Sequence, residues 1–294
     1  MRFPVAPMKA AIGGLPPDDG TWAYEIKWDG YRTLAFVDAG AVRLQSSSGL
    51  DVTATYPELR DLPAAVNATS AVIDGELVVL DANGRPSFEG IQRHEVQAAF
   101  YAFDVLAING TDTTALPYHQ RRALLGQILE AGPNWMVPAH RVGDGAALLA
   151  AATDQRLEGV MAKRLDSPYQ PGKRSPNWRK VKVRITETVV IGGFTAGSGS
   201  RSSTFGALLI GVPQLDGRVR FAGGVGTGFD QRLLESLTAT LRTLRSTACP
   251  FDPPPPRDVA RTATWVQPTL SARIEIAEFT NDGLARHASF ISLE

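Results

Sequence analysis

Apolar and polar residues alternate over short segments in the first 185 residues, a pattern typical of strands. It predicts six strands there, at residues 22–27, 33–37, 41–45, 72–79, 98–106 and 159–164. Two segments, residues 118–131 and 145–155, have helical spacing instead. In the first of them one stripe collects Leu124, Leu125, Ile128 and Leu129. This part of the chain is therefore expected to mix strands with helices, as α+β domains do.

From about residue 186 the pattern becomes richer in strands, which are predicted at residues 188–194, 206–212, 219–225 and 272–279. One amphipathic helix is predicted over residues 229–245, and the prolines at 253–256 indicate a stiff extended connector. About five strands with one helix in such a length fit a small barrel of the OB type. We therefore predict two domains, residues 1–185 and residues 186–294.

Composition narrows the class of protein without identifying it. The chain has 294 residues, of which 44% are hydrophobic and 20% charged, an ordinary globular composition that excludes wholesale disorder. No apolar run approaches the roughly 18–20 residues that span a bilayer, and the first residues do not resemble a secretory signal. A cytoplasmic protein is expected. The single cysteine, Cys249, excludes a disulfide framework within the chain.

Charge is balanced in total, with thirty basic and thirty acidic residues, but it is unevenly distributed. Residues 163–184 contain eight basic residues and one acidic residue, Asp166. Most charge runs are solvated surfaces. Here, however, Lys180 and Lys182 alternate in an apolar-flanked segment, so a strand would direct both to one face. Because two neighbouring ammonium groups repel each other, this spacing indicates a bound anion, for which phosphate is the obvious candidate.

The sharpest local motif is EIKWDGYR at residues 25–32. An apolar strand leads into Lys27, Asp29-Gly30 forms a tight turn, and Arg32 begins the return. The ordinary alternative is a surface lysine in a salt bridge. A lysine that is partly desolvated beside other cations has a lowered pKa and can act as a neutral nucleophile.

Two carboxylates and one aromatic ring are further candidates. Glu76 lies in the DGE segment of an apolar strand, and Glu158 heads another strand. Each could be part of an ordinary turn, or could hold Mg²⁺ or a ribose hydroxyl. Phe103, in the aromatic segment FYAFD, could belong to the core or could stack on a base.

Taken together, these motifs carry a family resemblance. KxDGxR at 27–32, DGE at 74–76, FYAFD at 100–104, EGVMAKR at 158–164 and WRKVK at 178–182 stand in the order found in covalent nucleotidyltransferases. The segments LDSPYQPGKRSPNWRKVK and VIGGFTAGSGSRSSTFGALLIG resemble sequences of the bacterial ATP-dependent DNA ligases, especially the ligase module of non-homologous end joining and its free-standing relatives. The resemblance implies an α+β fold with an adenylation domain, built of antiparallel sheets and flanking helices, followed by an OB-fold β-barrel.

The resemblance also implies a mechanism and a set of roles. Lys27 would attack the α-phosphorus of ATP and carry AMP, which passes to the 5′-phosphate of a nick before the 3′-hydroxyl displaces it. The remaining roles carried over are an adenine contact at Glu25, the ring stacked on adenine at Phe103, a nucleotide and nick-phosphate contact at Arg32, a ribose or metal contact at Glu76, a metal-linked acid at Glu158, and phosphate contacts at Arg174, Lys180 and Lys182. ATP and either Mg²⁺ or Mn²⁺ are the implied cofactors.

The implied partner is nicked double-stranded DNA, together with end-joining proteins such as Ku or a primase-polymerase. A monomer without membrane contact, located in the cytoplasm with the nucleoid, is expected. Two alternatives remain open at this point: an RNA ligase or capping-type nucleotidyltransferase, and a catalytically impaired OB-fold protein that binds nucleic acid.

This chain departs from the family pattern in two places. Ser47 stands where the family usually has arginine, and a hydroxyl cannot replace a bidentate phosphate fork. Relatives also continue beyond the position of Glu294 into a tail that helps orient pyrophosphate, so slower self-adenylation is expected. No separate N-terminal DNA-binding domain is recognisable, and a minimal two-domain form is expected.

Overall fold

The computed structural model describes residues 1–82, 84–93, 96–280 and 282–294. The chain divides into two compact units, Met1–Val183 and Arg184–Glu294, and each has its own apolar core. Strands predominate in both units, and most neighbouring strands are antiparallel. The predicted α+β class is confirmed. No helix within the described ranges is both long enough and apolar enough to cross a membrane.

The first unit contains three helices and two large sheets among its described residues. Its helices are α1 (Phe88–Arg93), α2 (Tyr118–Ile128) and α3 (Gly145–Asp154). Its strands are β1 (Lys9–Ile12), β2 (Trp22–Ile26), β3 (Tyr31–Asp38), β4 (Ala41–Ser46), β5 (Ser70–Val78), β6 (Ala99–Ile108), β7 (Thr111–Asp112), β8 (Trp135–Met136), β9 (Arg141–Val142), β10 (Gly159–Arg164) and β11 (Arg174–Lys182).

The two sheets of this unit pack against each other. One has the strand order β1-β11-β10-β2-β9, and the other has the order β4-β3-β5-β6-β7, with β8 beside β6. Because strand residues alternate between faces, Ile73 of β5 belongs to the large core under the second sheet, whereas Val72 packs with Ala23 and Trp178 of the first sheet. The face that carries Val72 also carries the polar residues of β5, so alternation directs them between the sheets.

The second unit is an OB-fold barrel. The elements of this unit are β12 (Ile185–Ala196), β13 (Phe205–Pro213), β14 (Val219–Val225), α4 (Gln231–Thr243), α5 (Arg257–Thr262), β15 (Ala263–Ile276), β16 (Glu278–Phe279), β17 (Ala285–Arg286) and β18 (Ser289–Leu293). A five-stranded sheet has the order β14-β13-β12-β15-β18, and β16 pairs with β17.

The core of the second unit consists of apolar strand residues and one face of α4, which contributes Leu234, Leu237 and Leu241. The Asp230 side chain caps this helix by accepting from the Leu233 N–H at 2.7 Å.

The structure corrects several predicted boundaries. The helix predicted to reach residue 131 ends at Ile128, because Leu129 is extended and forms a bridge with Val66. The strand predicted from residue 272 begins nine residues earlier, as β15 pairs with β12 over nearly its whole length. The pattern missed elements that are too short to show a periodicity, namely α1, α5, β1, β7, β8, β9, β17 and β18.

Candidate active site

A pocket of about 300 Å³ lies in the first unit, lined by residues from both sheets. This volume is at the lower end of what ligand sites occupy. Seven of the nine residues predicted from the sequence line it: Glu25, Lys27, Arg32, Glu76, Phe103, Arg174 and Lys180. The other two do not line the pocket: Glu158 forms an ion pair with Lys27, and Lys182 forms one with Glu158.

The first sheet brings its polar residues into rows across three strands. Met161 of β10 is opposite Glu25 of β2 on one side and Lys180 of β11 on the other. The next row continues past the end of β2, where the Lys27 N–H donates to the Gly159 carbonyl at 2.9 Å and Gly159 is opposite Lys182. This register explains how residues far apart in the chain reach one side of the pocket.

Two glycines allow the close approach of backbone segments around Lys27. A Cβ at Gly30, in the turn between Lys27 and Arg32, would lie 2.0 Å from the Leu77 carbonyl oxygen. Gly159 has a φ of 147°, and a Cβ there would lie 2.1 Å from the Val181 carbonyl oxygen. Only glycine fits either position. The DG and EG motifs therefore have a steric reason in addition to any chemical one.

Glu158 lies between two lysines. One carboxylate oxygen forms an ion pair with Lys27 Nζ, and the other is 3.3 Å from Lys182 Nζ. Lys180 is also near, and its pKa is lowered, mainly by burial and next by the positive charge of Lys27. The predicted nucleophile is thus held by a carboxylate and flanked by cations.

On the facing sheet, Arg32 and Asp74 form a bidentate ion pair. Arg32 Nε and Nη2 each donate to one carboxylate oxygen at 2.6 Å, and the Tyr169 hydroxyl donates to Asp74 at 2.7 Å. Burial alone disfavours the charged guanidinium, but Asp74 outweighs this and raises the pKa of Arg32. The sequence did not indicate Tyr169 at all. It lies 95 residues from Asp74, and no local pattern connects them.

Glu76 is opposite Arg32 in the pairing of β3 with β5. Burial raises the pKa of Glu76 to about 7, against the opposing effect of the Arg32 and Lys27 charges. Its carboxyl group therefore changes charge near neutral pH, unlike an ordinary glutamate.

Phe103 occupies an irregular position in β6. Asp74 of β5 is opposite Asp104, while the next residue, Gly75, is opposite Ala102, so Phe103 is the extra residue of a β-bulge. Its ring lies near two cations, 4.9 Å from the Arg32 guanidinium carbon and 4.1 Å from Lys163 Nζ. The bulge places the ring in the pocket rather than in the regular ladder.

Lys163 is a pocket residue that was not assigned a role from the sequence. It is 1% exposed and forms an ion pair with Glu25, which is itself buried. Its Nζ is 4.2 Å from the Trp178 ring. Burial lowers the pKa of Lys163, while Glu25 acts in the opposite direction. The alternation of Met161 and Lys163 in β10 was the available signal, since both then share the face of Glu25.

The predicted metal site depends on the oxygen donors that the pocket region offers. Among the described residues, no group of three or more His, Cys, Asp or Glu side chains could hold a metal ion. Mg²⁺ bound with a nucleotide usually takes only one or two carboxylates and completes its shell with phosphate oxygens and water. Glu76 in the pocket and Glu158 behind Lys27 fit that type of site rather than an all-protein cage.

A lysine beside a tight turn, in a pocket shared by two sheets and accompanied by a separate OB-fold barrel, defines the class of covalent nucleotidyltransferases. Family comparison specifies the branch. The ATP-dependent DNA ligase domain matches residues 15–182, and the C-terminal region of ATP-dependent DNA ligases matches residues 201–294. The chain belongs to the ATP-dependent DNA ligase family. The predicted fold class, enzyme class and ATP dependence are confirmed, and the matches do not support the RNA ligase, capping or impaired-binding alternatives.

Individual relatives agree with this assignment. The multifunctional non-homologous end joining DNA repair protein LigD of Mycobacterium tuberculosis is 44% identical over 294 residues, covering 98% of this chain and 38% of that protein. The crystal structure of the ligase domain from M. tuberculosis LigD is 42% identical with a TM-score of 0.60, covering 99% of this chain and 95% of that one. Mycobacterial DNA ligase D complexed with ATP and MES has 41% identity and the same TM-score and coverage. The chain therefore spans well under half the length of this curated relative.

Proposed function

We propose that this ligase seals nicks between a 5′-phosphate and a 3′-hydroxyl in double-stranded DNA through a lysyl-adenylate formed on Lys27. The observation that carries the proposal is the position of Lys27, in the pocket, paired with Glu158 and close to the charge of Lys180. The proposal includes the assignment of residues 1–185 as the adenylation domain and residues 186–294 as the OB-fold domain.

The first step needs a neutral amine. Glu158 forms an ion pair with Lys27 Nζ and is the carboxylate positioned to accept its proton. The Nζ lone pair then attacks the α-phosphorus, a bond from nitrogen to phosphorus forms, and the bond to pyrophosphate breaks. Pyrophosphate leaves with the electron pair of that bond.

The next two steps transfer and release AMP. An oxygen of the nick 5′-phosphate attacks the same phosphorus, the bond from nitrogen to phosphorus breaks, and Lys27 leaves with the electron pair and regains a proton. The 3′-hydroxyl then attacks the 5′-phosphorus and gives up its proton, the bond between that phosphorus and AMP breaks, and AMP leaves with the electron pair. Phosphoryl transfer depends on positioning and on stabilising charge. Lys180, Lys182 and Arg174 would supply that charge, and Arg32 would be oriented by Asp74 toward the nucleotide and the nick phosphate.

The other predicted roles complete the proposal. Glu25 and Phe103 would contact adenine by hydrogen bonding and stacking, and Glu76 would contact the ribose or a metal. Glu76 and Glu158 would hold Mg²⁺ or Mn²⁺, which when bound neutralises negative charge on the phosphates. Lys163 would keep the Glu25 carboxylate fixed.

The relatives named for non-homologous end joining support a role in that pathway of DNA repair. Ku or a primase-polymerase would then be partners, and the protein would act as a monomer in the cytoplasm with the nucleoid. Intact mass measurement with and without ATP and Mg²⁺ tests the central claim: a gain of one AMP is expected, and its absence, or a gain from GTP instead, contradicts it. Closure of a nicked duplex by the protein that carries AMP tests the remaining steps.

A further inference from the structure

Six cationic side chains line the pocket, and they fall into two groups. Three have carboxylate partners: Lys27 with Glu158, Arg32 with Asp74 and Lys163 with Glu25. The other three have no ion pair within the described residues, namely Lys9, Arg174 and Lys180. A pocket that contains three cations without carboxylate partners is suited to an anionic ligand. Arg174 and Lys180 already have proposed phosphate roles, but nothing has assigned one to Lys9.

Lys9 is held beside Arg174 by the backbone. β1 runs parallel to β11 with Lys9 opposite Arg174, and the Lys9 N–H donates to the Lys173 carbonyl at 2.8 Å. The Arg174 side chain reaches back toward β1, since Nη1 donates to the Ala10 carbonyl at 2.6 Å. Residues paired across strands direct their side chains to the same face, and like charges in that arrangement destabilise a sheet. An anion between them removes that cost.

The same pocket has a position where charge is missing. Ser47, which stands where the family usually has arginine, also lines it, and Ser47 is exposed and neutral. A hydroxyl gives at most one neutral hydrogen bond to a phosphate, whereas an ammonium group gives charge-assisted ones. Lys9 supplies a positive charge to this pocket that position 47 does not.

We propose that Lys9 is a phosphate-binding residue of this ligase, acting together with Arg174. The phosphate belongs either to ATP or to the 5′ end at the nick, because both have the same chemistry. The inference rests on the proposed function, from which it takes a phosphate-bearing substrate. It adds a residue that the family motifs in this chain do not include.

The nucleotide arm of the test uses α,β-methylene ATP, which cannot transfer AMP, together with AMP and adenosine. Binding is measured by calorimetry for the unaltered protein, Lys9→Ala, Lys9→Arg and Lys173→Ala. Lys173 is the matched control, because it is an exposed lysine directly before β11, its carbonyl accepts from the Lys9 N–H, and it does not line the pocket. Lys9→Ala is expected to weaken the ATP analogue by about tenfold relative to Lys173→Ala, the effect of one charge-assisted hydrogen bond. Lys9→Arg should retain most of the affinity.

The ligands separate the possible phosphates. If Lys9→Ala loses affinity for the ATP analogue alone, Lys9 contacts the β- or γ-phosphate. If it loses affinity equally for AMP, Lys9 contacts the α-phosphate. An equal loss for adenosine overturns the proposal, since adenosine has no phosphate. Because Lys9 is exposed and its charge opposes that of Arg174, Lys9→Ala should not lower the thermal unfolding temperature of the ligand-free protein.

The DNA arm measures closure of a pre-adenylated nick by the same variants. A contact at the nick phosphate predicts unaffected nucleotide affinities. It also predicts that the KM for the pre-adenylated nick rises several-fold more in Lys9→Ala than in Lys173→Ala. Equal values for the two variants in both arms show only a general field effect and overturn the inference. An unaltered protein that takes no AMP from ATP contradicts the proposed function itself, which is a separate outcome.

Discussion

The two units differ most clearly in what they bury. All of the buried charged residues in the described chain belong to the first unit: Glu25, Asp74, Asp104, Arg121, Arg122 and Lys163. Within the same described ranges, the buried polar residues of the second unit are only two threonines, Thr204 and Thr238. Removing charges from water is costly and is tolerated only where they are paired and hydrogen-bonded. Glu25 and Lys163 line the pocket, and Asp74 forms an ion pair with the pocket residue Arg32, so the candidate site accounts for part of this difference.

The two units also differ in the partners that satisfy the hydrogen bonds and charges of their buried polar side chains. Asp104 and Arg121 are both fully buried and form a two-point ion pair at 2.8 Å, and Arg121 also donates to the Ser167 carbonyl at 3.0 Å. Burial raises the pKa of Asp104, and Arg121 opposes that shift. Thr238 needs only its own helix, since its hydroxyl donates to the Leu234 carbonyl at 2.6 Å. The buried Asp104–Arg121 pair of the first unit thus joins residues that are distant in the chain, whereas Thr238 depends on a neighbour.

The largest effect expected from a single change is at Lys27. Lys27→Ala should reduce AMP transfer to background, and Lys27→Arg should do the same, because a guanidinium stays protonated and cannot attack. Intact mass after incubation with ATP and Mg²⁺ measures the result.

The matched control is a charge removal in the second unit. Arg232 of α4 is exposed, and Arg232→Ala should still form the adenylate. Adenylation of Lys27→Arg at a rate near that of the unaltered protein would show that another residue is the nucleophile. The position of Lys27 in the pocket would then say nothing about where the adenylate forms.

The second prediction compares buried polar groups across the units. Asp104→Asn leaves the Arg121 charge without its counterion, which should cost about 3–5 kcal/mol of unfolding free energy. Thr238→Val removes a hydroxyl that bonds only to its own helix, and should cost about 1 kcal/mol or less. Urea unfolding gives the totals, and hydrogen exchange resolved by peptide assigns each loss to a unit.

Leu237→Ala serves as the reference for the second unit, because Leu237 is 1% exposed and its truncation should cost about 2–5 kcal/mol. If Thr238→Val proves as costly as Asp104→Asn, the two units do not differ in their reliance on buried polar groups.

Sequence patterns predicted most strands and helices of both units, because alternation and helical spacing are local. They did not predict which polar residues would be buried. The stripe on α2 was correctly placed at Leu125 and Ile128, yet the same helix also buries Arg121. The reason is the Asp104 carboxylate on β6, which a periodicity within residues 118–131 cannot reveal.

The candidate site shows the same limit. Motif order identified Lys27, Arg32 and Glu76, and the structure brings all three to one pocket. The pairing of Arg32 with Asp74 depends on strand register, and the position of Phe103 depends on a bulge, neither of which a motif contains. The assigned roles of these residues stay predictions until the variants are measured.

The third prediction concerns pH and depends on Glu76. Burial gives Glu76 a folded pKa of about 7 against an ordinary value of 4.5, so the folded state binds this proton more tightly than the unfolded chain. The contribution of the protonated group to stability is complete below pH 4.5 and is lost as pH rises through 7. Thermal unfolding from pH 5 to 8 should therefore show the unaltered protein losing stability relative to Glu76→Gln. A constant difference between the two proteins would mean that Glu76 titrates normally.

The smallest effect is expected from adding a charge rather than removing one. Ser47→Arg places a guanidinium at the pocket and should tighten binding to a nick that has a 5′-phosphate by about threefold to tenfold. Preference for ATP over GTP should not change, since the new contact reaches no base. Leu215→Arg is the matched variant, because Leu215 is fully exposed in the turn between β13 and β14 of the second unit. It adds the same charge at a residue that does not line the pocket.

Binding of both variants is measured to nicked duplexes with and without the 5′-phosphate, at one salt concentration because counterion release dominates such affinities. Leu215→Arg should strengthen binding to both duplexes alike, because its charge attracts DNA without contacting the 5′-phosphate. Ser47→Arg should strengthen binding only to the duplex that has the 5′-phosphate. If both side chains contact the same phosphate, Ser47→Arg should also restore most of any loss of binding caused by Lys9→Ala. Equal gains in affinity for both duplexes would show that the arginine at position 47 acts through general electrostatic attraction rather than through direct contact with the 5′-phosphate. The added charge would then behave alike in the two units, and the distinction between them would rest on their buried groups alone.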